Sequence, residues 1–224
     1  MTDDISSYRE RRGLAIAFAL CALATLALMA NHPSDGAHSF VDLIKSEANN
    51  QVIDGLVHGG FIVTLGALIV CFVLFSRCLG SARVPVVIGL VTFCIGSGSL
   101  IASMMLDGFA TPAIAGRFTG TEVDNLSMAK TIFILLGTLI RFLMPMGMLF
   151  QSVAMFSWSS IIVRRGGLPR AVGAFGLAVA LFLIVAIVAA PATMATHVLL
   201  GGIVLQALWY FALASLLFRR VSWP

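Results

Sequence analysis

The chain carries four histidines, His32, His38, His58 and His197, and two carboxylates, Asp54 and Asp107, at or beside the ends of apolar runs. Imidazole nitrogens joined by one or two carboxylate oxygens form a donor set for zinc or copper. A histidine pair alone can ligate haem iron. Inside a membrane the same groups relay protons in transporters. Asp54 and His58 are spaced i, i+4 and share a helix face, which places Asp54 as a partner that orients the imidazole, although one helical turn is an awkward reach. No HExxH or CxxC pattern accompanies them. The candidate metal ligands are therefore His58, His197, Asp54 and Asp107, with His32, His38 and Arg141 as further polar groups of the same region.

The elements that position these residues follow from composition. In 224 residues, 59% are hydrophobic and 11% charged, with a mean hydropathy of +1.02, whereas soluble domains are about one quarter charged. The chain reads as an integral membrane protein, which excludes most soluble enzyme classes and any nucleic-acid interface. Crossing roughly 30 Å of hydrocarbon takes about 20 apolar residues in helix. Six runs qualify, at about 14–30, 52–75, 84–106, 141–163, 171–192 and 198–218. They predict one all-α transmembrane domain, a six-helix bundle with helical outer loops at 31–51 and 107–140. The basic opening and the 17-residue run at 14–30 also suit a secretory signal, but that run is longer than an h-region of about 7 to 15 residues and is read as a span.

Charge fixes the expected orientation. Ten of the fourteen basic residues flank the spans on one side, among them Arg9, Arg11, Arg12, Arg77, Arg83, Arg164, Arg165 and Arg170, against three acids. Four bases face seven acids on the other side. By the positive-inside rule both termini are cytoplasmic. Cys21, Cys71 and Cys94 fall within spans and Cys78 at a cytoplasmic end, so they read as small apolar residues and not as a disulfide framework.

Depth can then be counted. His58 lies 19 residues from Arg77, Asp107 lies 24 from Arg83, Arg141 lies 23 from Arg164 and His197 lies 22 from Arg219. At 1.5 Å per residue these four differ in depth by about 7 Å. Four helices thus present ionisable groups at the outer boundary, either as a site or as ordinary markers of where helices meet water. In the outer loop 107–140, Gly108, Thr111, Pro112, Gly116 and Gly120 read as turns, with helix resuming near Ser127. From Met128 onward 36 residues would measure about 54 Å, so the fourth span must protrude or bend, and Pro145, which frees the carbonyl of Arg141, is the expected kink.

Gln151 and Gln206 lie inside spans, where an amide seeks an interhelical partner or a substrate. Gly55 and Gly59 form a GxxxG, and Gly96-Ser97-Gly98-Ser99 is a run of small residues; both predict close helix packing. Met104, Met105, Met144, Met146 and Met148 are potential thioether ligands for Cu(I), or flexible filler. Trp158 and Trp223 read as anchors at the cytoplasmic interface, while Trp209 and Tyr210 fall mid-span.

The segment SIIVRRGGLPRAVGAFGL at 160–177, with Asp42, Ile44 and Ser46 ahead of the second span, resembles six-helix bacterial membrane proteins grouped as domains of unknown function. That resemblance implies the six-helix fold and a bacterial inner-membrane location, and it carries no assigned chemistry. Three functions remain open at this level. One is a binding or redox module with a zinc, copper or haem site at the outer face. Another is a small proton-coupled or solute transporter. The last is an accessory subunit or homo-oligomer that meets a protein or lipid through its outer lobe, around Thr131 to Ile140.

Overall fold

A computed structural model describes residues 2–32, 39–120, 123–189 and 196–219, with side chains over 9–32, 39–120, 126–189 and 199–219. The regular structure of these residues is helical: α1 (Thr2–Ala30), α2 (Phe40–Leu79), α3 (Val84–Met105), a π-helical segment (Leu106–Ala110), α4 (Thr111–Phe118), α5 (Val123–Ile162), α6 (Gly167–Ala189) and α7 (Thr196–Phe218). Six of these stretches are long and apolar enough to cross a membrane: Arg9–Ala30, Phe40–Leu79, Val84–Phe118, Leu126–Ile162, Gly167–Ala189 and Leu199–Phe218. The fold is an all-α six-helix membrane bundle.

The long helices close a ring. α1 packs on α2 and α7, α2 on α3, α3 on α5, α5 on α6, and α6 on α7. Aromatic residues from five of them fill its middle: Phe18 from α1, Phe72 and Phe75 from α2, Phe93 from α3, Trp158 from α5, and Trp209 and Tyr210 from α7. Phe72 stacks on Trp158 with ring centroids 4.3 Å apart and planes 2° from parallel. Trp158 is therefore a core residue with no exposed surface, where the count from Arg164 suggested an interfacial anchor. The depth is as counted, but the residue points into the ring because α3 offers Gly89, whose Cβ would lie 2.8 Å from the indole. Trp223 lies outside the described residues.

Small residues bring α3 and α5 into close contact. A Cβ on Gly96 would sit 2.7 Å from the Gly147 carbonyl, and one on Gly147 would sit 2.6 Å from Leu100. At that approach Gln151 donates from Nε2 to Ser97 Oγ at 3.1 Å, and Ser99 Oγ donates to the Leu143 carbonyl at 2.7 Å. Gln151 is interhelical glue. Gly55 and Gly59 instead face a side chain, the ring of Phe109, at 3.7 and 3.5 Å.

α2 and α5 each run 40 residues, about 60 Å at 1.5 Å per residue, so each extends past the hydrocarbon at the end away from Arg77, Arg83 and Arg164. α2 starts where Ser39 caps it, its Oγ accepting from the Asp42 amide at 3.1 Å; the expected loop at 31–51 is thus largely an extension of the second span. α5 continues as helix through Pro145. The protruding ends and α4 form a lobe, at the end of the bundle away from Arg77 and Arg164, around Ile44, Ala115 and Ala129, with Phe40 edge-on to Phe133 at 5.5 Å.

The turns expected from Gly108 to Gly116 are helix instead. Proline at 112 has no N–H to give the Gly108 carbonyl, and the ladder slips by one residue rather than breaking: the Thr111 amide and hydroxyl both reach the Leu106 carbonyl, the hydroxyl at 2.9 Å. Pro112 then occupies the first turn of α4, where a missing donor costs nothing. Gly120, with φ of 80°, supplies the turn.

Candidate metal centre

The slipped ladder decides where Asp107 points. The π-helical segment packs on α2 so closely that a Cβ at Gly108 would fall 2.3 Å from His58 Cβ, and glycine alone lets the backbone pass. That approach sets Asp107 Oδ2 3.3 Å from His58 Nε2. Single-turn π segments recur at functional sites, here because the extra residue rotates a side chain toward its neighbour.

His58 is 2% exposed, and its tautomer follows from its contacts. Nδ1 lies 2.9 Å from the backbone carbonyl of Asp54, which can only accept, so Nδ1 carries the proton. In the neutral ring Nε2 then presents a lone pair to a carboxylate oxygen, and two acceptors at that separation require a cation between them, a proton or a metal. The distance itself is informative. Two donors on a tetrahedral ion with bonds of about 2.0–2.1 Å stand about 3.3 Å apart.

A third donor comes from the segment after α1. Asn31 Nδ2 donates to the Ala27 carbonyl at 2.7 Å and its amide reaches the Leu28 carbonyl at 3.2 Å, finishing the helix. The next residue, His32, meets the ring of His58 edge-on at 5.1 Å between centroids. One donor atom from each of His32, His58 and Asp107 lies within 4.8 Å of the other two. His32 is exposed, His58 buried and Asp107 one-third exposed, so the cluster is anchored on one side and open on the other. A groove of about 310 Å³ between the N-terminal halves of α2 and α5, bordered by Glu47 and Lys130, reaches Asp107.

Of the residues singled out from sequence, His58 and Asp107 meet directly. Asp54 is buried on the same helix and gives His58 its main-chain carbonyl; its carboxylate is not among the clustered donors. His38 lies outside the described residues, as does the side chain of His197, whose backbone sits in the first turn of α7. Arg141 is an exposed residue of α5. Gln206 is buried with no partner for Nε2 among the described residues. His32 joins the ligand set although counting from an arginine gave it no depth, since it follows the end of its helix.

Two imidazoles and a carboxylate suit a divalent transition metal, and three protein donors leave a coordination position for water or another ligand, the arrangement of exchangeable and reactive sites. Haem does not fit. Axial imidazoles must stand on opposite faces of a porphyrin, whereas these rings touch and share their space with a carboxylate. Comparison with protein-family models, curated proteins and solved structures finds no match to this chain.

Proposed function

We propose that the protein is a multi-pass protein of a bacterial inner membrane that binds a divalent transition metal, zinc or copper, at its outer face through His32, His58 and Asp107. The observation that carries this reading is the placing of His58, with Nδ1 against the Asp54 carbonyl at 2.9 Å and Nε2 facing Asp107 at 3.3 Å, beside His32. The arginine bias supports an inward-facing opposite end with cytoplasmic termini, and the turn at 160–177 supports the bacterial location. The open groove beside Asp107 gives the ion a way in and out, as a handling site needs and a closed structural site does not.

The test is titration of detergent-purified protein with Zn(II) and Co(II), the latter read by its visible spectrum. One ion per chain is expected in the wild type. It should vanish in the His58→Ala and Asp107→Asn variants and persist in Gln206→Leu. A wild type that takes up no more metal than the His58→Ala and Asp107→Asn variants overturns the proposal and leaves His58 and Asp107 as a proton-bridged pair.

A second reading, transport, draws on one observation. A cavity of about 60 Å³ within the ring is lined by Thr25, Thr64, Gln151, Gln206, Met104 and Met148, among others. Polar groups and thioethers deep in the bundle suit a path inward from the outer cluster. Uptake of Zn(II) or Cu(I) into liposomes carrying the protein, lost in Gln206→Leu, would favour passage over binding alone.

A further inference from the structure

We propose that the recess between α1 and α2 at the arginine-rich end of the bundle binds one anionic glycerophospholipid, its phosphodiester held by Arg11 and Arg77. The recess has a volume of about 650 Å³. It lies at the Arg77 end of α2, 19 residues along the helix from His58, and does not depend on the metal reading.

Its lining changes character along the helix axis. Arg11 and Arg77 stand at the mouth with Glu10, and Leu14, Ala17, Val70 and Leu74 form the wall below. From Arg77 to Val70 is seven residues, about 10 Å along α2, which spans a headgroup and the first carbons of its chains. Val70 is 59% exposed and Leu74 41%, so the wall opens sideways, as a binding groove for acyl chains must. An occupant complementary to this surface is charged at one end and apolar at the other.

The sign of the charge follows from the mouth. Among the described residues neither guanidinium enters an ion pair or hydrogen bond, although guanidinium forks match phosphate oxygens closely. Two arginines against one glutamate leave a net positive mouth, which suits a singly anionic phosphodiester. Glu10 is then placed to accept from headgroup hydroxyls, which favours a glycerol headgroup. Basic pockets between helices at the cytoplasmic face are recognised lipid sites.

Native mass spectrometry of the full chain tests this, with phosphatidylglycerol, phosphatidylcholine and inorganic phosphate as probes. One phosphatidylglycerol should remain bound per wild-type chain, and its affinity should fall about thirtyfold in the Arg11→Gln/Arg77→Gln variant, at about one basic-residue contribution each. The Arg164→Gln/Arg165→Gln variant, with equal charge loss elsewhere, should bind normally. Because the first variant can misfold, Gly13→Leu provides an independent arm. A Cβ there meets nothing within 4 Å and leucine favours helix over glycine, so this variant should fold at least as well as wild type yet fill the recess and lose the lipid. Equal binding of phosphatidylcholine, equal losses in both arginine pairs, displacement by free phosphate, or an unaffected Gly13→Leu would each overturn the proposal.

Discussion

Gly108→Ala is the smallest change that tests how the proposed metal centre is built. A Cβ at this position would lie 2.3 Å from His58 Cβ, 2.4 Å from Cγ and 2.7 Å from Nδ1. Carbon atoms settle at about 3.5–4.0 Å, so the π-helical segment and α2 must separate by more than about 1 Å. His58 cannot simply turn away, because its ring is tied to the Asp54 carbonyl. The gap of 3.3 Å to Asp107 then opens beyond about 4 Å, while metal–ligand distances tolerate only about 0.2 Å. Affinity for Zn(II), measured by competition with a chromophoric chelator, should drop by about 100-fold, the upper end of what displacing a ligand's support costs. Thermal unfolding should report an overpacking loss of about 1–3 kcal/mol. Gly116→Ala, whose Cβ meets nothing within 4 Å, should leave the affinity unchanged and the stability no lower, since alanine favours helix over glycine. A Gly108→Ala protein that binds zinc like the wild type would refute the claim that the close approach at this glycine holds the site together.

Gly96→Ala would place a methyl 2.7 Å from the Gly147 carbonyl and 2.9 Å from the Gln151 amide; because both are backbone, α3 and α5 must part, and denaturation in mixed micelles should show a loss of about 1–3 kcal/mol. Ser97→Ala removes the acceptor of Gln151 and should cost only about 0.6 kcal/mol by the same assay, in line with interhelical hydrogen bonds in membranes. Trp158→Ala empties the centre of the ring, where Phe72, Phe75 and Phe93 all contact the indole; a loss of about 3–5 kcal/mol and a collapsed near-ultraviolet circular dichroism band are expected, and retention of that band would show that the ring closes without it.

Depth was legible in the sequence because helical rise is constant: counting from Arg77 and Arg83 put His58 and Asp107 within about 7 Å of one level, and they meet. Azimuth was not. It depends on which face each helix buries, and so Trp158 lies at its counted depth yet faces the core. Span boundaries blurred where an apolar run and a polar extension share one helix, as at α2, since helix formation continues past the membrane once Ser39 caps it. The π-helical segment was invisible for a different reason. Gly108 and Pro112 signal a turn by the same chemistry that permits a slipped ladder, and only packing against α2 decides between them. His32 follows the last turn of α1, where no periodicity constrains position, so its arrival beside His58 is a property of the assembled bundle.

The ring order gives the chain an unusual assembly schedule. Because α1 packs on both α2 and α7, one flank of α1 waits until α7 has been made. Through synthesis of α2 to α6 the bundle is an open arc whose unmatched flank is covered by lipid alone, and closure joins the two elements most distant along the chain, the slowest kind of contact to form. The same geometry leaves the start of α1 and the end of α7 on neighbouring helices at one end of the ring. A short link between them, with new ends opened at 80–83, should therefore preserve the closed bundle while reordering its synthesis.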